Sequence, residues 1–123
     1  MNATFQARRA YGAKVAPTRT ERGTEYEILA RITHRLKSTA ARKDTHFAEF
    51  AEALNDNRRL WQIFATDVAS DENKLPKDLR AQIFYLAEFT FVQTRKVLRR
   101  QENVSSLIDI NTAIMRGLNP RSG

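Results

Sequence analysis

The chain has 123 residues, 41% of them hydrophobic, which is enough for one domain with one modest core. It contains no cysteine, which excludes disulfides and thiolate metal sites, and no run of apolar residues approaches the roughly 20 that a membrane span needs. Its net charge of +7 is segregated, because residues 1–43 carry +7, residues 44–73 carry −5 and residues 74–123 carry +5.

The charge and the start of the chain bear on location and partners. The first residues lack the apolar core of a signal peptide, so we expect a cytoplasmic protein with no membrane contact. The basic segments fit RNA, an acidic protein partner or a solvated helix face, and these alternatives remain open at this point.

The pattern of the chain is helical throughout. Four glycines and three prolines leave few turns, and no β-branched run alternates as a strand would. We therefore predict an all-α single domain over residues 1–123, a small bundle of four to five helices. A short first helix, Ala3 to Val15, is expected to attach loosely within residues 1–17. Thr18 or Thr20 is predicted to cap the second, whose apolar stripe is Tyr26, Leu29, Thr33, Leu36 and Ala40.

The third predicted helix is capped by Asp44 or Thr45 and runs to about Ala69. Its apolar stripe advances by alternating steps of three and four residues, which places every member on one face. The stripe consists of Phe47, Phe50, Leu54, Asn57, Trp61, Phe64 and Val68.

Two more helices are predicted after it. Pro76 suits the first position of the fourth helix, which is apolar nearly all round and is therefore expected at the centre of the bundle. Asn103 or Ser105 is predicted to cap the last helix, which should run to Arg116 and stop at Gly117 and Leu118 in a Schellman-type motif.

Each of two apolar stripes contains one asparagine. Asn57 lies in the middle of the apolar stripe of the third helix, and Asn111 lies in the middle of the apolar stripe of the last helix. Either both amides are internal and fix the packing register, or both hydrogen-bond a guest helix bound in a groove. Trp61, on the same stripe as Asn57, is either a core anchor or an interaction hot spot. At least one of Arg58 and Arg59 flanks that stripe.

No catalytic or cofactor-binding pattern is present. His34 and His46 lie on different predicted elements without a carboxylate at metal-ligand spacing, and phosphate-binding glycine loops are missing. We therefore predict a protein that is not an enzyme, with no metal site and no cofactor.

A set of short motifs follows in order along the chain. They are Ala10-Tyr11, then Asn57-Arg58, Leu60-Trp61 and Phe64, then Asn73, Leu75-Pro76 and Leu79-Arg80, and finally Leu107-Ile108, Ile110-Asn111 and Gly117-Leu118. With this order and length the chain resembles the alphaproteobacterial FlaF family of flagellar biosynthesis regulators, over roughly residues 10 to 118.

The resemblance implies a function. FlaF-like proteins are expected to bind flagellin as a chaperone-like partner, to promote its synthesis and secretion, and to act with the regulator FlbT. The flagellin groove would then be lined by Asn57, Arg58, Trp61, Phe64 and Asn111. The alternative is an RNA-associated regulator of flagellin translation that works with FlbT through basic patches. The candidates for electrostatic contact are Arg8, Arg9, Lys14, Arg95, Lys96, Arg99 and Arg100.

Overall fold

Four helices make up most of residues 21–118, the part of the chain that the computed structural model describes. They are α1 (Glu21–Ala40), α2 (Phe47–Ala69), α3 (Lys77–Leu98) and α4 (Ser105–Leu118). No strand occurs within residues 21–118, so the predicted all-α class is confirmed. The predicted helix Ala3–Val15 and the cap at Thr18 or Thr20 lie outside the described residues.

The helices form a ring in which each packs against the next along the chain, and α4 closes the ring on α1. Successive helices run antiparallel: the end of α1 shares a cluster with the start of α2 through Leu36 and Phe50, whereas Ile28 shares one with Leu60 farther along. As a result α1 faces α3 across one diagonal of the ring, and α2 faces α4 across the other.

The apolar core is divided into two clusters. The first draws buried residues from all four helices: Leu36, Phe50, Ala53, Leu54, Val97 and Leu107. The second is built by α1, α2 and α4, from Ile28, Leu29, Ile32 and Leu60 with Ile63, Phe64, Ile114 and Met115 packed against them. No α3 residue belongs to the second cluster, so three helices close that end of the core without α3.

The position predicted for the mostly apolar helix needs correction. α3 lies at a corner of the ring, not at its centre, and packs mainly against α2. Its buried residues are Ala87, Thr90, Gln93, Thr94 and Val97, which lie on one side. Because α1, α2 and α4 already close the second cluster, the opposite side of α3 meets no other helix within residues 21–118.

Two helix starts differ by one or two residues from the predictions. His46, rather than Asp44 or Thr45, is the N-cap of α2. The turn before α2 extends as far as His46, whose N–H donates a hydrogen bond to the Arg42 carbonyl at 2.8 Å. Pro76 is the N-cap of α3 rather than its first helical residue. At α4 the side-chain oxygen of Asn103 accepts a hydrogen bond from the N–H of Ser105, the first residue of the helix.

The Schellman-type stop occurs at a different helix from the predicted one. α4 continues through Gly117 to Leu118, and no glycine of the described segment has a positive φ. It is Arg100 that takes the left-handed conformation, with φ 62°, just after α3. The Arg100 N–H donates a hydrogen bond to the Val97 carbonyl at 3.0 Å, and the Gln101 N–H donates one to the Lys96 carbonyl at 2.9 Å. These two hydrogen bonds define the Schellman motif.

Candidate partner-binding surface

A buried polar layer separates the two apolar clusters. Trp61 Nε1 donates a hydrogen bond to Asn111 Oδ1 at 2.9 Å. Asn111 Nδ2 donates in turn to Asn57 Oδ1 at 2.8 Å and to Thr33 Oγ1 at 3.1 Å. Asn111 therefore joins α4 to both α1 and α2, and it does so across the α2–α4 diagonal.

The two asparagines of the apolar stripes thus face each other. Asn57, Trp61 and Asn111 are fully buried, and Thr33 is nearly so. In this structure Asn57, Trp61 and Asn111 line no surface groove, because their polar atoms point at neighbouring helices. The arrangement fits the internal register role, which was one of the two interpretations of the sequence. One atom of the layer, Asn57 Nδ2, has no hydrogen-bond partner among the described residues.

The other two predicted groove residues lie nearer the surface. Phe64 is half-buried and meets the Trp61 ring edge to face, with 5.4 Å between ring centroids. Arg58 is exposed and donates a hydrogen bond to Asn55 Oδ1 at 2.9 Å. The structure therefore does not bring the five predicted residues together on one surface.

The predicted basic cluster lies at the end of α3. Arg95, Lys96 and Arg99 are exposed, and none of them forms an ion pair within residues 21–118. Arg100 is also exposed but has a partner, since its guanidinium carbon lies 4.4 Å from the centroid of the Phe47 ring. We call Arg95, Lys96 and Arg99 the basic end of α3. The predicted contacts Arg8, Arg9 and Lys14 lie outside the described residues.

The sequence did not predict the exposed apolar side chains of α3. Four large side chains on the free side of α3 are exposed, which we call the α3 outer face: Phe84 (42%), Tyr85 (68%), Phe89 (38%) and Val92 (42%). A helix that is apolar nearly all round is expected to be buried, whereas here one apolar side of α3 is exposed. Several large apolar side chains exposed along one helix of a small protein are typical of an interaction site.

The α3 outer face and the basic end are parts of one surface. Tyr85, Val92 and Arg99 are spaced by seven residues, which is two helical turns, and Lys96 lies one turn after Val92. The helix rise of 1.5 Å per residue places Arg99 about 21 Å from Tyr85 along the axis. The free side of α3 is thus apolar in its middle and cationic at its end.

A separate open cleft lies between the α1–α2 and α3–α4 connections. Phe47, Phe50, Val97 and Val104 form its apolar part. Its charged lining residues are Lys43, Asp44, Arg100 and Glu102, so positive and negative groups balance. This balance gives the cleft no clear preference for an anionic or a cationic ligand.

The described residues show no arrangement for metal chemistry. Within residues 21–118 no group of three or more His, Asp or Glu side chains could hold a metal ion, and both histidines are exposed on different elements. None of the four helices is long and apolar enough to cross a membrane.

Comparison with known proteins identifies the family. Residues 7–118 match the family of flagellar protein FlaF. No curated protein and no solved structure matches the chain. Since the match covers nearly the whole chain and agrees with the ordered motifs, this protein is a member of the FlaF family of flagellar proteins.

Proposed function

We propose that this protein is a noncatalytic regulator of flagellum biogenesis that binds flagellin as a chaperone-like partner and promotes its synthesis and secretion. The family match supports the link to the flagellum. The observation that supports the binding role is the α3 outer face, where four large apolar side chains are 38% to 68% exposed.

The guest that best fits this surface is an amphipathic helix. A helix lying along α3 would bury its own apolar stripe against Tyr85, Phe89 and Val92, as in other complexes of a helix with an apolar helical surface. Burying the exposed parts of four such side chains contributes on the order of 4 kcal/mol.

Capture of flagellin by the purified chain tests the proposal. We expect flagellin to be retained at low and at moderate salt, and to be lost when Tyr85→Glu and Phe89→Glu are combined, because two carboxylates would then lie in the apolar contact. A matched control combines Gln62→Glu and Thr66→Glu, two exposed positions of α2 that are also four residues apart, and it should capture flagellin as the unchanged chain does. Circular dichroism checks that both variants stay helical.

Two outcomes would contradict the proposal. Flagellin that is not retained by the unchanged chain would remove the chaperone role altogether. Retention that survives the substitutions at Tyr85 and Phe89 would show that flagellin binds elsewhere on the molecule.

A second candidate is an RNA-associated regulator of flagellin translation that acts with FlbT. The observation in its favour is the basic end, where Arg95, Lys96 and Arg99 are exposed without ion-pair partners in residues 21–118. Proteins that bind single-stranded RNA usually interleave cations with aromatic side chains on which bases stack. Here the aromatic and cationic parts are separated along α3, and exposed Glu88 lies among the aromatics, so flagellin is the favoured partner.

The same preparation distinguishes the second candidate from the first. Binding to an RNA oligonucleotide should fall steeply as salt rises, since phosphate contacts release counterions. Apolar capture of flagellin should change little over the same range.

A further inference from the structure

The free side of α3 changes character in one direction. From Phe84 to Val92 its large side chains are apolar apart from exposed Glu88, and from Arg95 to Arg99 they are cationic. A guest helix long enough to cover both parts, about 18 residues or 27 Å, must therefore differ at its two ends. The surface can distinguish one orientation of the guest from the other.

The cations of the basic end form no ion pair within residues 21–118. Other arginines are paired there: Arg42 with Glu49 at 3.1 Å, Arg59 with Asp56 at 3.5 Å, and Arg35 with both Asp56 and Glu52. Arg95, Lys96 and Arg99 have no such partner in residues 21–118. Three adjacent unpaired cations beside an apolar surface favour a partner that carries carboxylates at the matching place.

The direction of the guest follows from helix electrostatics. The last turn of α3 carries the negative end of its dipole, which its own cations complement. Helices commonly carry Asp and Glu in their first turn, where the positive end of the dipole stabilises them. An antiparallel guest places that acidic first turn beside the basic end and aligns the two dipoles favourably.

We infer that the α3 outer face receives an amphipathic helix that runs antiparallel to α3 and sets an acidic first turn against Arg95, Lys96 and Arg99. This inference rests on the proposed function and specifies the chemistry and the direction of the bound segment.

A second copy of this chain fits the surface less well. In an antiparallel pair of α3 helices centred near Phe89, Arg99 would lie opposite Asp78, Lys96 opposite Ala81 and Arg95 opposite Gln82. One carboxylate would then face three cations, and exposed Lys77 adjoins that carboxylate. A guest with several carboxylates at one end complements the surface better.

Two synthetic peptides of equal composition test the direction. Both are helical and about 18 residues long with the same apolar stripe; one has three Glu in its first turn and the other has them in its last turn. Binding to the full chain is measured by fluorescence anisotropy at low salt. The second peptide can still pair its Glu side chains with the basic end by binding parallel to α3, so the dipole alignment alone separates the two. We therefore expect the peptide with the acidic first turn to bind roughly 2 to 5 times tighter, and the difference to shrink as salt rises.

Charge reversal on the protein provides the matched control. Combining Lys96→Glu with Arg99→Glu should remove the preference between the peptides. Combining Lys74→Glu with Lys77→Glu makes the same change in charge at the other end of α3, and it should leave the preference intact. Circular dichroism confirms that both variants remain helical.

Each remaining result overturns a particular statement. If flagellin is captured but the two peptides bind equally, or the peptide with the acidic last turn binds tighter, the antiparallel inference is wrong and the proposed function stands. If flagellin is not captured, the proposed function is wrong. Binding of an RNA oligonucleotide without either peptide, or a dimer that Tyr85→Glu dissociates and that binds neither peptide, would assign the surface to RNA or to a second copy.

Discussion

At the scale of single residues, Asn111 is the most connected polar group of the interior. Its amide makes three hydrogen bonds, to Trp61, Asn57 and Thr33. Asn57 contributes one of these bonds and keeps an unpartnered Nδ2 among the described residues. The two asparagines are therefore unequal, although the sequence places them alike.

Substitution by leucine should expose this difference. We expect Asn111→Leu to lower the free energy of unfolding by about 3 kcal/mol, because it leaves three buried polar groups without their partner. Asn57→Leu should cost no more than about 1 kcal/mol, since it also removes an unsatisfied donor. Urea denaturation followed by circular dichroism measures both, and Asn55→Leu at a half-exposed position of α2 is the control. Equal costs at Asn57 and Asn111 would contradict the prediction.

Arg100 combines a backbone cost with a side-chain contact. Its φ of 62° is unfavourable for any residue with a Cβ, while its guanidinium lies over the Phe47 ring. Two variants that both lose the guanidinium differ only in how well they tolerate the positive φ, so comparing them isolates the energetic cost of that backbone conformation. Arg100→Gly should be more stable than Arg100→Ala by about 1 kcal/mol in urea denaturation.

The neighbouring residue supplies the control for that comparison. Arg99 has a φ of −86°, which alanine adopts freely. At Arg99 the alanine variant should be at least as stable as the glycine variant, because glycine only adds freedom to the unfolded chain. The same order at both positions would mean that φ at Arg100 does not limit stability.

At the scale of elements, Arg80 connects the end of α2 to the start of α3. Its Nε donates to the Val68 carbonyl at 3.0 Å and its terminal nitrogen donates to the Ser70 carbonyl at 2.9 Å. The last carbonyls of a helix have no N–H donor within the helix, and here the Arg80 guanidinium donates hydrogen bonds to carbonyls at the end of α2.

Shortening this side chain should loosen the α2–α3 connection. We expect Arg80→Ala to lower the free energy of unfolding by about 1 to 3 kcal/mol, and Arg80→Lys by an intermediate amount because an ammonium cannot match the fork geometry. Lys77→Ala, at an exposed position one turn away, should change stability by no more than about 0.5 kcal/mol. Urea denaturation compares all three, and an unchanged Arg80→Ala would refute a structural role for the guanidinium.

Introducing glutamate should affect stability on only one of the two sides of α3. Tyr85→Glu, on the outer face, should leave the free energy of unfolding within about 0.5 kcal/mol. Ala87→Glu, at a fully buried position, should destabilise by more than about 3 kcal/mol because a carboxylate would lie in the α2–α3 contact. Thermal unfolding measures both. A large loss for Tyr85→Glu would mean that this side is covered within the full chain.

The helices themselves were largely predictable, whereas their ends were less so. Steps of three and four residues mark the buried faces of α1, α2 and α4, and Phe50, Leu54 and Leu107 are buried as those steps predict. The N-caps were predicted less accurately, because a residue type that favours the N-cap position can stand next to the residue that occupies it. Thr45 is such a residue, and the N-cap of α2 is its neighbour His46. Gly117 does not end α4, since a glycine permits a left-handed turn without requiring one.

At the scale of the whole molecule, the polar layer distinguishes this bundle from alternatives with the same apolar pattern. Asn57 and Asn111 meet across the α2–α4 diagonal, which requires one register of those helices. A buried amide pair commonly selects one packing at a cost in stability.

Removing both amides tests this role. We expect the chain with Asn57→Leu and Asn111→Leu to stay helical but to unfold less cooperatively, with a lower dependence of the unfolding free energy on urea. Its amide NMR spectrum should be broadened, because an all-apolar layer permits several registers. The variant Asn55→Leu should keep a sharp spectrum. A sharp spectrum from the double variant would show that apolar packing alone specifies the bundle.

The sequence by itself determined the all-α class, the approximate helices, and the presence of one asparagine in each of two apolar stripes. Periodicity reports which residues share a face of a helix, and that is a local property. Only the tertiary structure decided that Asn57 and Asn111 face each other, because the partner of a face depends on how helices pair. For the same reason α3, which looked central, lies at a corner: α1, α2 and α4 close the second cluster without it, and its remaining apolar side is left exposed.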